Sequence, residues 1–383
     1  MTDLAKQDPA APVEPVEEVP LGDVEPDVIA ADAPVTAVPL WRVRIRLMRR
    51  TLSRNWALFA ENKIGFVGLA IIAVFALMAV LQPILIATVW DPRVYDPQTG
   101  YDAVVSEFTV VEEVTDPATE IDVQTARLET TPFVEVGDVI EIPLQPAPPS
   151  FGGEYPHFLG TDPLGRDILS QLMYGARAAF FLGSVAALVT VIIATTVGSV
   201  AAHFGGWVDS SLMRLADLIL LVPLIPMLIV VASLFTISLP ILGLLIGLLS
   251  GFGGVAIVLK SQALSVRVKP FIDAARVAGG GDWHVIFRHI VPNVLPLSFL
   301  YMMFGVTEAI SLEATLSFLG VLNVPMSWGI MINTAANQGY LLGGTDYWWL
   351  LLPAGLAVTL LAFAFFLVGR AMDEVVNPRL RAR

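Results

Sequence analysis

Two carboxylates, Glu308 and Glu313, lie inside a strongly apolar run between residues 294 and 319. A charged side chain near the centre of a bilayer costs roughly 2.5–3.5 kcal/mol on insertion scales, so such side chains usually face a polar cavity. The two glutamates could therefore line a polar route and meet the positively charged end of a ligand. Hydrogen bonds to a neighbouring helix would satisfy them equally well, and the sequence leaves both interpretations open.

A polar stretch at residues 271–292 separates long apolar runs, and its first half has the pattern of a short helix. Pro270 can occupy the first turn, where a missing N–H costs nothing. Asp273 then lies near the positive end of the helix dipole, Arg276 is one turn away, and Gly279–Gly281 end the helix. One face is almost entirely small: Phe271, Ala274, Ala275 and Ala278. Because small residues let another protein approach closely, the pattern predicts a docking element.

The second half of this stretch has the pattern of another short helix. Asp282 is predicted to cap it and Pro292 to stop it. Its large apolar residues share one face at helical spacing: Trp283, Ile286, Phe287 and Ile290. We expect this second helix to pack behind the docking helix and support it.

The sequence contains little that could carry covalent or metal chemistry. It has no G-x-x-x-x-G-K-[ST], H-E-x-x-H or G-x-S-x-G motif, so neither ATP binding nor hydrolysis is predicted for this chain. The absence of cysteine excludes disulfides and thiolate metal sites. Of the four histidines, His284 and His289 are five residues apart, which places them on different faces of an α-helix, and no metal site is expected.

The chain is too apolar for a soluble globule of 383 residues, with 55% apolar residues and a mean hydropathy of +0.72. A helix needs roughly 20 apolar residues to cross a bilayer. Six runs meet that length: residues 64–86, 178–202, 213–236, 238–259, 294–319 and 348–369. Pro223 and Pro226 should kink the third run, and Gly243, Gly247 and Gly251 should let the fourth approach another helix closely.

Basic residues are distributed very unevenly between the segments that join these runs. Eighteen of the 22 precede the first run, follow the last, or fall at Arg214 and in residues 260–290. Only four lie in residues 87–177, and none lies in residues 320–347. The positive-inside rule therefore places both termini and the 260–290 loop in the cytoplasm. Such a basic girdle at the inner leaflet does not predict a nucleic-acid surface.

The segments outside the runs differ in character. Residues 1–40 are acidic and proline-rich and are predicted to be disordered. Residues 41–63 form a basic amphipathic segment that suits an anionic membrane surface. Residues 90–175 follow the first membrane helix at 64–89, and short alternating stretches at 105–113 and 132–144 predict a small strand-containing cap.

Residues 90–175, called here the outer segment, lead into a dense run of polar and turn-forming residues at 157–177. Asp162 is predicted to cap a helix whose first residue is Pro163. An apolar face would then lie on the outer membrane surface: Leu164, Ile168, Leu169 and Leu172.

Several of these stretches resemble the permease subunits of ABC importers of the dipeptide/oligopeptide type, and in particular their C-type subunit. One is the run G-T-D-x-L-G-R-D-x-x-S, which contains Gly160, Thr161, Asp162, Gly165, Arg166 and Asp167 and is followed by Tyr174-Gly-Ala-Arg177. The docking stretch is similar to the family's E-A-A-x-x-x-G loop through Asp273, Ala274, Ala275 and Gly279, with aspartate for glutamate. His289 and Val291 depart from its second half. Residues 313–320 and 327–329 are similar to its E-A-x-L-S-F-L-G and S-W-G runs, whereas Glu308 has no counterpart.

The resemblance covers residues 157–383 and implies a type I ABC importer permease fold with six membrane helices. The permease core would occupy residues 176–370, with a coupling loop at 265–292 and a cytoplasmic tail at 371–383. Asp273, Ala274, Ala275, Arg276 and Gly279 would contact a cytoplasmic ATPase. The implied partners are a second, unlike permease subunit, two ATP-binding subunits that hold ATP and Mg, and an extracytoplasmic substrate-binding protein, in a cell inner membrane.

Alternatives to peptide import remain open from the sequence. Relatives with these motifs carry oligosaccharides or metal chelates, and the aromatic-rich residues 340–349 are compatible with a sugar. A membrane-anchored receptor or scaffold that uses the acidic outer segment is an alternative from another class.

Overall fold

The computed structural model describes residues 59–376, except 61, 101–105, 111–138, 144, 154 and 343–344. The predicted disordered tail at 1–40, most of the basic segment at 41–63 and the last residues of the tail at 371–383 lie outside the described residues. Contacts divide the chain into two units at Ser53, and every described residue belongs to the second.

The described residues contain twelve α-helices, which are numbered here along the chain. The first five are α1 Lys63–Thr88, α2 Pro92–Tyr95, α3 Ile168–Phe204, α4 Gly206–Leu221 and α5 Leu224–Leu234. They are followed by α6 Leu239–Phe252, α7 Gly254–Arg267, α8 Pro270–Val277 and α9 Asp282–Val285. The last three are α10 Val291–Phe318, α11 Trp328–Asn337 and α12 Trp348–Val376, and a π-helical turn, Ile286–Ile290, joins α9 to α10.

Four helical segments are long and apolar enough to cross a membrane: Lys63–Thr88, Ile168–Phe204, Asp282–Phe318 and Trp348–Glu374. Two bent pairs, α4 with α5 and α6 with α7, raise the number to as many as six. The predicted all-helical membrane fold is therefore confirmed, and each of the six predicted runs coincides with one of these segments or pairs.

The two bent pairs break where the sequence disfavours a straight helix. The bend between α4 and α5 is 81° and lies at Pro223, which cannot donate a backbone hydrogen bond. The bend between α6 and α7 is 46° and lies at Gly253. The predicted kink of the third span is confirmed at Pro223.

The 37-residue helix α3 forms the centre of the bundle, since it is largely buried and contacts α6, α7 and α10. Close approach to α6 depends on the three predicted glycines. A Cβ atom added at Gly247 would lie 2.6 Å from the carbonyl oxygen of Ala186, and Gly243 and Gly251 face Val185 and Ile193 in the same way. The small-residue face is thus a packing device.

Helix α1 lies against α12, at the edge of the bundle. The side chain of Asn62 caps α1 by accepting hydrogen bonds from the backbone N–H groups of Ile64 and Gly65, both at 3.0 Å. Added Cβ atoms at Gly65 and Gly68 would collide with Ala371 and with the backbone of Ala364. These contacts fix the first span against the last.

The outer segment contains the predicted strands. Strands β1 Ser106–Val110 and β2 Val139–Pro143 pair antiparallel, with Ser106 opposite Pro143 and Val110 opposite Val139. They lie in the interval between α1 and α3.

Candidate coupling surface and membrane cavity

Helix α8 begins and ends where the sequence predicts. Pro270 is its first residue, and Gly279 takes a φ of 86°, a conformation that favours glycine. The N–H of Gly280 donates to the carbonyl of Ala275 at 2.9 Å, which closes the C-terminal turn. The glycines therefore end the helix and turn the chain back.

The outward side of α8 is open to a partner. Only Ile272 is fully buried, and it fixes the helix to the body of the protein. Ala274 and Ala278 are exposed, and Val277 is 90% exposed. Arg276 lies 3.8 Å from the carboxylate of Asp273 on this exposed side. A small, apolar helix surface with one ion pair is a surface suited to docking.

Beside α8 lies a concavity of about 550 Å³ that includes both histidines of this region. Its lining is Phe271, Ala275, Ala278, Gly279, Gly280, Gly281, His284 and His289. The expectation that His284 and His289 lie on different faces is wrong, since their rings are 5.5 Å apart. The reason is the π-helical turn Ile286–Ile290, in which residues five apart, not four, come into line.

Asp282 does not cap the second short helix, as the sequence suggested. Gly281 occupies the cap position, and no side chain caps α9. The carboxylate of Asp282 instead lies 2.9 Å from Nε2 of His203, the buried penultimate residue of α3. Close by, Arg267 donates from Nη1 to the carbonyl of Ala202 at 2.8 Å. These contacts tie the loop of residues 265–292 to the end of α3.

Pro292 does not stop the helix either, because α9, the π-helical turn and α10 run on as one segment of 37 residues. The N–H of Val291 bonds to the carbonyl of Ile286, five residues back, so the regular ladder is already interrupted where the proline stands. Pro292 consequently sits in the first turn of α10, where it costs no hydrogen bond.

The predicted apolar face of the second helix is divided in two. Ile286 and Ile290 are fully buried, and Ile290 packs in one core cluster with Ile272 of α8, whereas Trp283 and Phe287 are exposed. The exposed rings stack 5.8 Å apart, and Trp283 also meets Phe204 at 6.0 Å. Half of the predicted packing support is therefore an aromatic surface.

In the residues that precede α3, Asp162 organises a loop instead of capping a helix. Its carboxylate accepts from the backbone N–H groups of Leu164 and Arg166 at 2.9 Å, from Nε of Arg166 at 2.7 Å and from Nε2 of Gln171 at 3.0 Å. Gly160 and Gly165 have positive φ, and Thr161 pairs with Asp167 across the loop. The predicted surface helix beginning at Pro163 is thus wrong.

Helix α3 begins at Ile168, and its cap is Asp167. One carboxylate oxygen of Asp167 accepts from the N–H of Ser170 at 2.7 Å, and the other lies 2.9 Å from Nδ1 of His157. Asp162 already accepts hydrogen bonds from the backbone N–H groups of the loop. The helix therefore begins only after residue 167, and it then continues directly into the membrane span.

Two tryptophans connect this loop to the C-terminal half of the chain. Nε1 of Trp328 donates to the carbonyl of Leu172 at 2.8 Å, and its ring fills the space beside Gly175. Nε1 of Trp349 donates to the carbonyl of Thr161 at 3.3 Å. Sequence reasoning identified the runs that contain these residues but missed that they contact one another.

The two glutamates of α10 differ in their surroundings. Glu313 is 4% exposed, and Ser317 donates a hydrogen bond to it at 2.6 Å. Glu308 is exposed and lies on the wall of a cavity of about 770 Å³, where Oγ of Ser250 donates to it at 3.2 Å. Among the described residues, Glu313 is absent from that wall.

The fold and site together define a helical, multi-spanning membrane protein with an exposed short helix, α8, and a cavity lined by its bent helix pairs. The family model described as the binding-protein-dependent transport system inner membrane component matches residues 194–382. This match includes the docking loop, both bends and α10. The chain belongs to this family, whose members are the permease subunits of ABC importers.

Individual relatives support the assignment. A putative peptide transport system permease protein of Brucella suis is 34% identical over 228 residues, which cover 59% of this chain and 74% of that protein. The oligopeptide transport system permease protein OppC of Escherichia coli K12 is 34% identical over 228 residues, covering 59% and 73%. The dipeptide transport system permease protein DppC of Haemophilus influenzae is 27% identical over 353 residues, covering 92% and 99%.

A second family model, the NusA N-terminal domain, matches residues 93–153. This likeness concerns only the outer segment between α1 and α3, much of which lies outside the described residues.

Proposed function

We propose that this permease subunit imports dipeptides or oligopeptides and forms half of a heterodimeric translocation pore. The observation that carries the proposal is the exposed α8, which presents small residues and is anchored to membrane helices at both ends. The names of the relatives support peptides as the cargo. The family description supports a position in the inner membrane, and the distribution of basic residues supports cytoplasmic termini.

Helix α8 docks on a cytoplasmic ATPase through Asp273, Ala274, Ala275, Arg276 and Gly279. The ATPase subunits hold ATP and Mg, and this chain binds no cofactor and has no ATPase site of its own. An extracytoplasmic binding protein delivers the cargo. No covalent step takes place in the permease, which changes only the side of the membrane to which its cavity opens.

Two connections would carry a displacement of α8 into the membrane. The first is the pair of Asp282 and His203, which joins the loop to the end of α3. The second is the continuous helix from α9 through the π-helical turn into α10, which carries Glu308. Buried Ile272 packs in one core cluster with Val294 of α10, which supports movement of α8 together with that span.

The outer loop formed by Gly160, Thr161, Asp162, Gly165, Arg166 and Asp167 has a positioning role in this proposal. Its polar groups are largely satisfied within the chain, so it sets where α3 enters the membrane. Glu308 is proposed to line the pore, whereas the hydrogen-bonded, buried position of Glu313 supports a structural role.

Uptake into vesicles tests the cargo. ATP is loaded inside vesicles that carry the complete transporter, and the binding protein is added outside. Only transporters whose ATPase subunits face the vesicle interior can then work, so transporters inserted in the opposite orientation do not contribute. Labelled dipeptide, labelled oligosaccharide and a labelled metal chelate are then offered in turn. We expect ATP-dependent accumulation of the peptide; accumulation of only the sugar or the chelate would contradict peptide import, and accumulation of none would favour a scaffold.

A further inference from the structure

The cavity that contains Glu308 is built around the two breaks in the membrane helices. Its wall includes Val222 and Pro223 at the 81° bend, and Gly253 and Gly254 at the 46° bend. Irregular backbone at membrane depth is tolerated only where it is buried in protein or lines a water-filled cavity. Because both bends line the same cavity, we expect this cavity to hold water or a ligand and not lipid.

The lining is apolar apart from a few side chains. Aliphatic residues of α4 and α5 form one side, including Leu218, Leu224 and Met227. The side-chain polar groups in the lining are the carboxylate of Glu308, the hydroxyl of Ser250 and the phenol of Tyr301. The cavity volume of about 770 Å³ lies within the range of roughly 300–1,000 Å³ usual for small-molecule sites.

Glu308 and Tyr301 are seven residues apart on α10, which places them two turns apart on the same helix face. The carboxylate of Glu308 accepts one hydrogen bond, from Ser250, and remains exposed. An exposed carboxylate within a span is costly unless it meets a cation or water.

A second carboxylate, Asp217, lies on α4 next to cavity-lining Leu218 but does not itself line the cavity. It is exposed as well, so the general negative potential of this region does not depend on Glu308 alone. It provides a matched control for a contact that requires Glu308 in particular.

We infer that Glu308 binds the protonated amino group of the cargo, while the aliphatic wall formed by α4 and α5 receives an apolar part of the same molecule. This assignment rests on the proposed peptide import, since a peptide carries a terminal ammonium group beside side chains of varied polarity. The permease then contributes selectivity for a free amino terminus at the bends of its helices.

The test compares one peptide with its N-acetylated form in vesicles that contain the complete transporter. Each peptide is supplied as a preformed complex with the binding protein, so that capture outside the membrane does not limit uptake. The variant is Glu308→Gln, which keeps the side-chain shape and the hydrogen bond to Ser250. We expect uptake of the free-amine peptide to fall about tenfold, as for the loss of a hydrogen bond between charged groups. Uptake of the acetylated peptide is expected to stay unchanged.

Asp217→Asn serves as the control and is expected to leave the ratio of the two uptake rates unchanged. An equal loss for both peptides in Glu308→Gln, or the same change of ratio in Asp217→Asn, would overturn the assignment. Loss of the second permease subunit on purification of Glu308→Gln would also overturn it, because Glu308 would then belong to the subunit interface. If the wild type accumulates neither peptide, the peptide cargo itself is contradicted; if it accumulates them and the ratio never changes, only the site is.

Discussion

Residues of the same type in the same stretch of sequence have different surroundings in this protein. Glu308 and Glu313 are both carboxylates in one apolar run, and the sequence cannot separate them because it does not show which side of α10 is covered. The structure buries Glu313 beside Ser317 and leaves Glu308 on a cavity wall. His284 and His289 show the reverse, since a π-helical turn joins what α-helical spacing separates.

Replacing Glu313 with alanine should destabilise the protein. The change leaves the buried hydroxyl of Ser317 without its partner, which costs about 1–3 kcal/mol. Thermal unfolding of the purified protein in detergent should show a lower midpoint for Glu313→Ala. The same substitution at exposed Glu308 is the control and should hardly move the midpoint; equal shifts would contradict the different roles of the two residues.

At the scale of elements, helix positions follow from the sequence more completely than helix ends do. The apolar runs predicted the spans, Pro223 predicted the kink, and the glycines of α6 predicted a close helix contact. These features were predictable because they depend on local composition. The start of α3 and the passage from α9 into α10 depend on distant partners. Asp282 is held by His203 from another helix, and no local pattern in the sequence shows that contact.

Breaking the connection between the docking loop and α3 should weaken transport without preventing docking. His203→Ala removes the ring that contacts Asp282, so α9 loses one of its contacts with the end of α3. We expect slower peptide uptake while the ATPase still co-purifies. His203→Gln, which retains a side-chain donor, should recover much of the rate; if alanine and glutamine variants behave alike and match the wild type, this connection has no role in coupling.

At the scale of the whole molecule, charge predicted the orientation, and the family match supports the multi-spanning fold. The composition could not reveal the cavity, because it forms only when two bends from separate spans meet α10. The contacts among Thr161, Trp328 and Trp349 likewise join parts of the chain that are far apart in sequence.

Orientation can be measured directly because the chain contains no cysteine. A cysteine at Phe151, which is 81% exposed in the outer segment, should react with a membrane-impermeant maleimide in right-side-out vesicles. A cysteine at Val277 on α8 should react only in inverted vesicles. Labelling of both positions from the same side would contradict the orientation derived from the basic residues.

The central claim is that α8 couples this permease to an ATPase, and one uptake measurement tests it most directly. Ala274 is exposed and Ala275 lines the concavity beside the helix, so Ala274→Glu with Ala275→Glu places bulk and charge on the proposed docking surface. Val268→Glu adds a charge to an exposed position just before α8 and is the matched control. We predict that the double variant inserts into the membrane but loses both ATP-dependent peptide uptake and ATPase association, while the control keeps both. Unimpaired uptake by the double variant would contradict it.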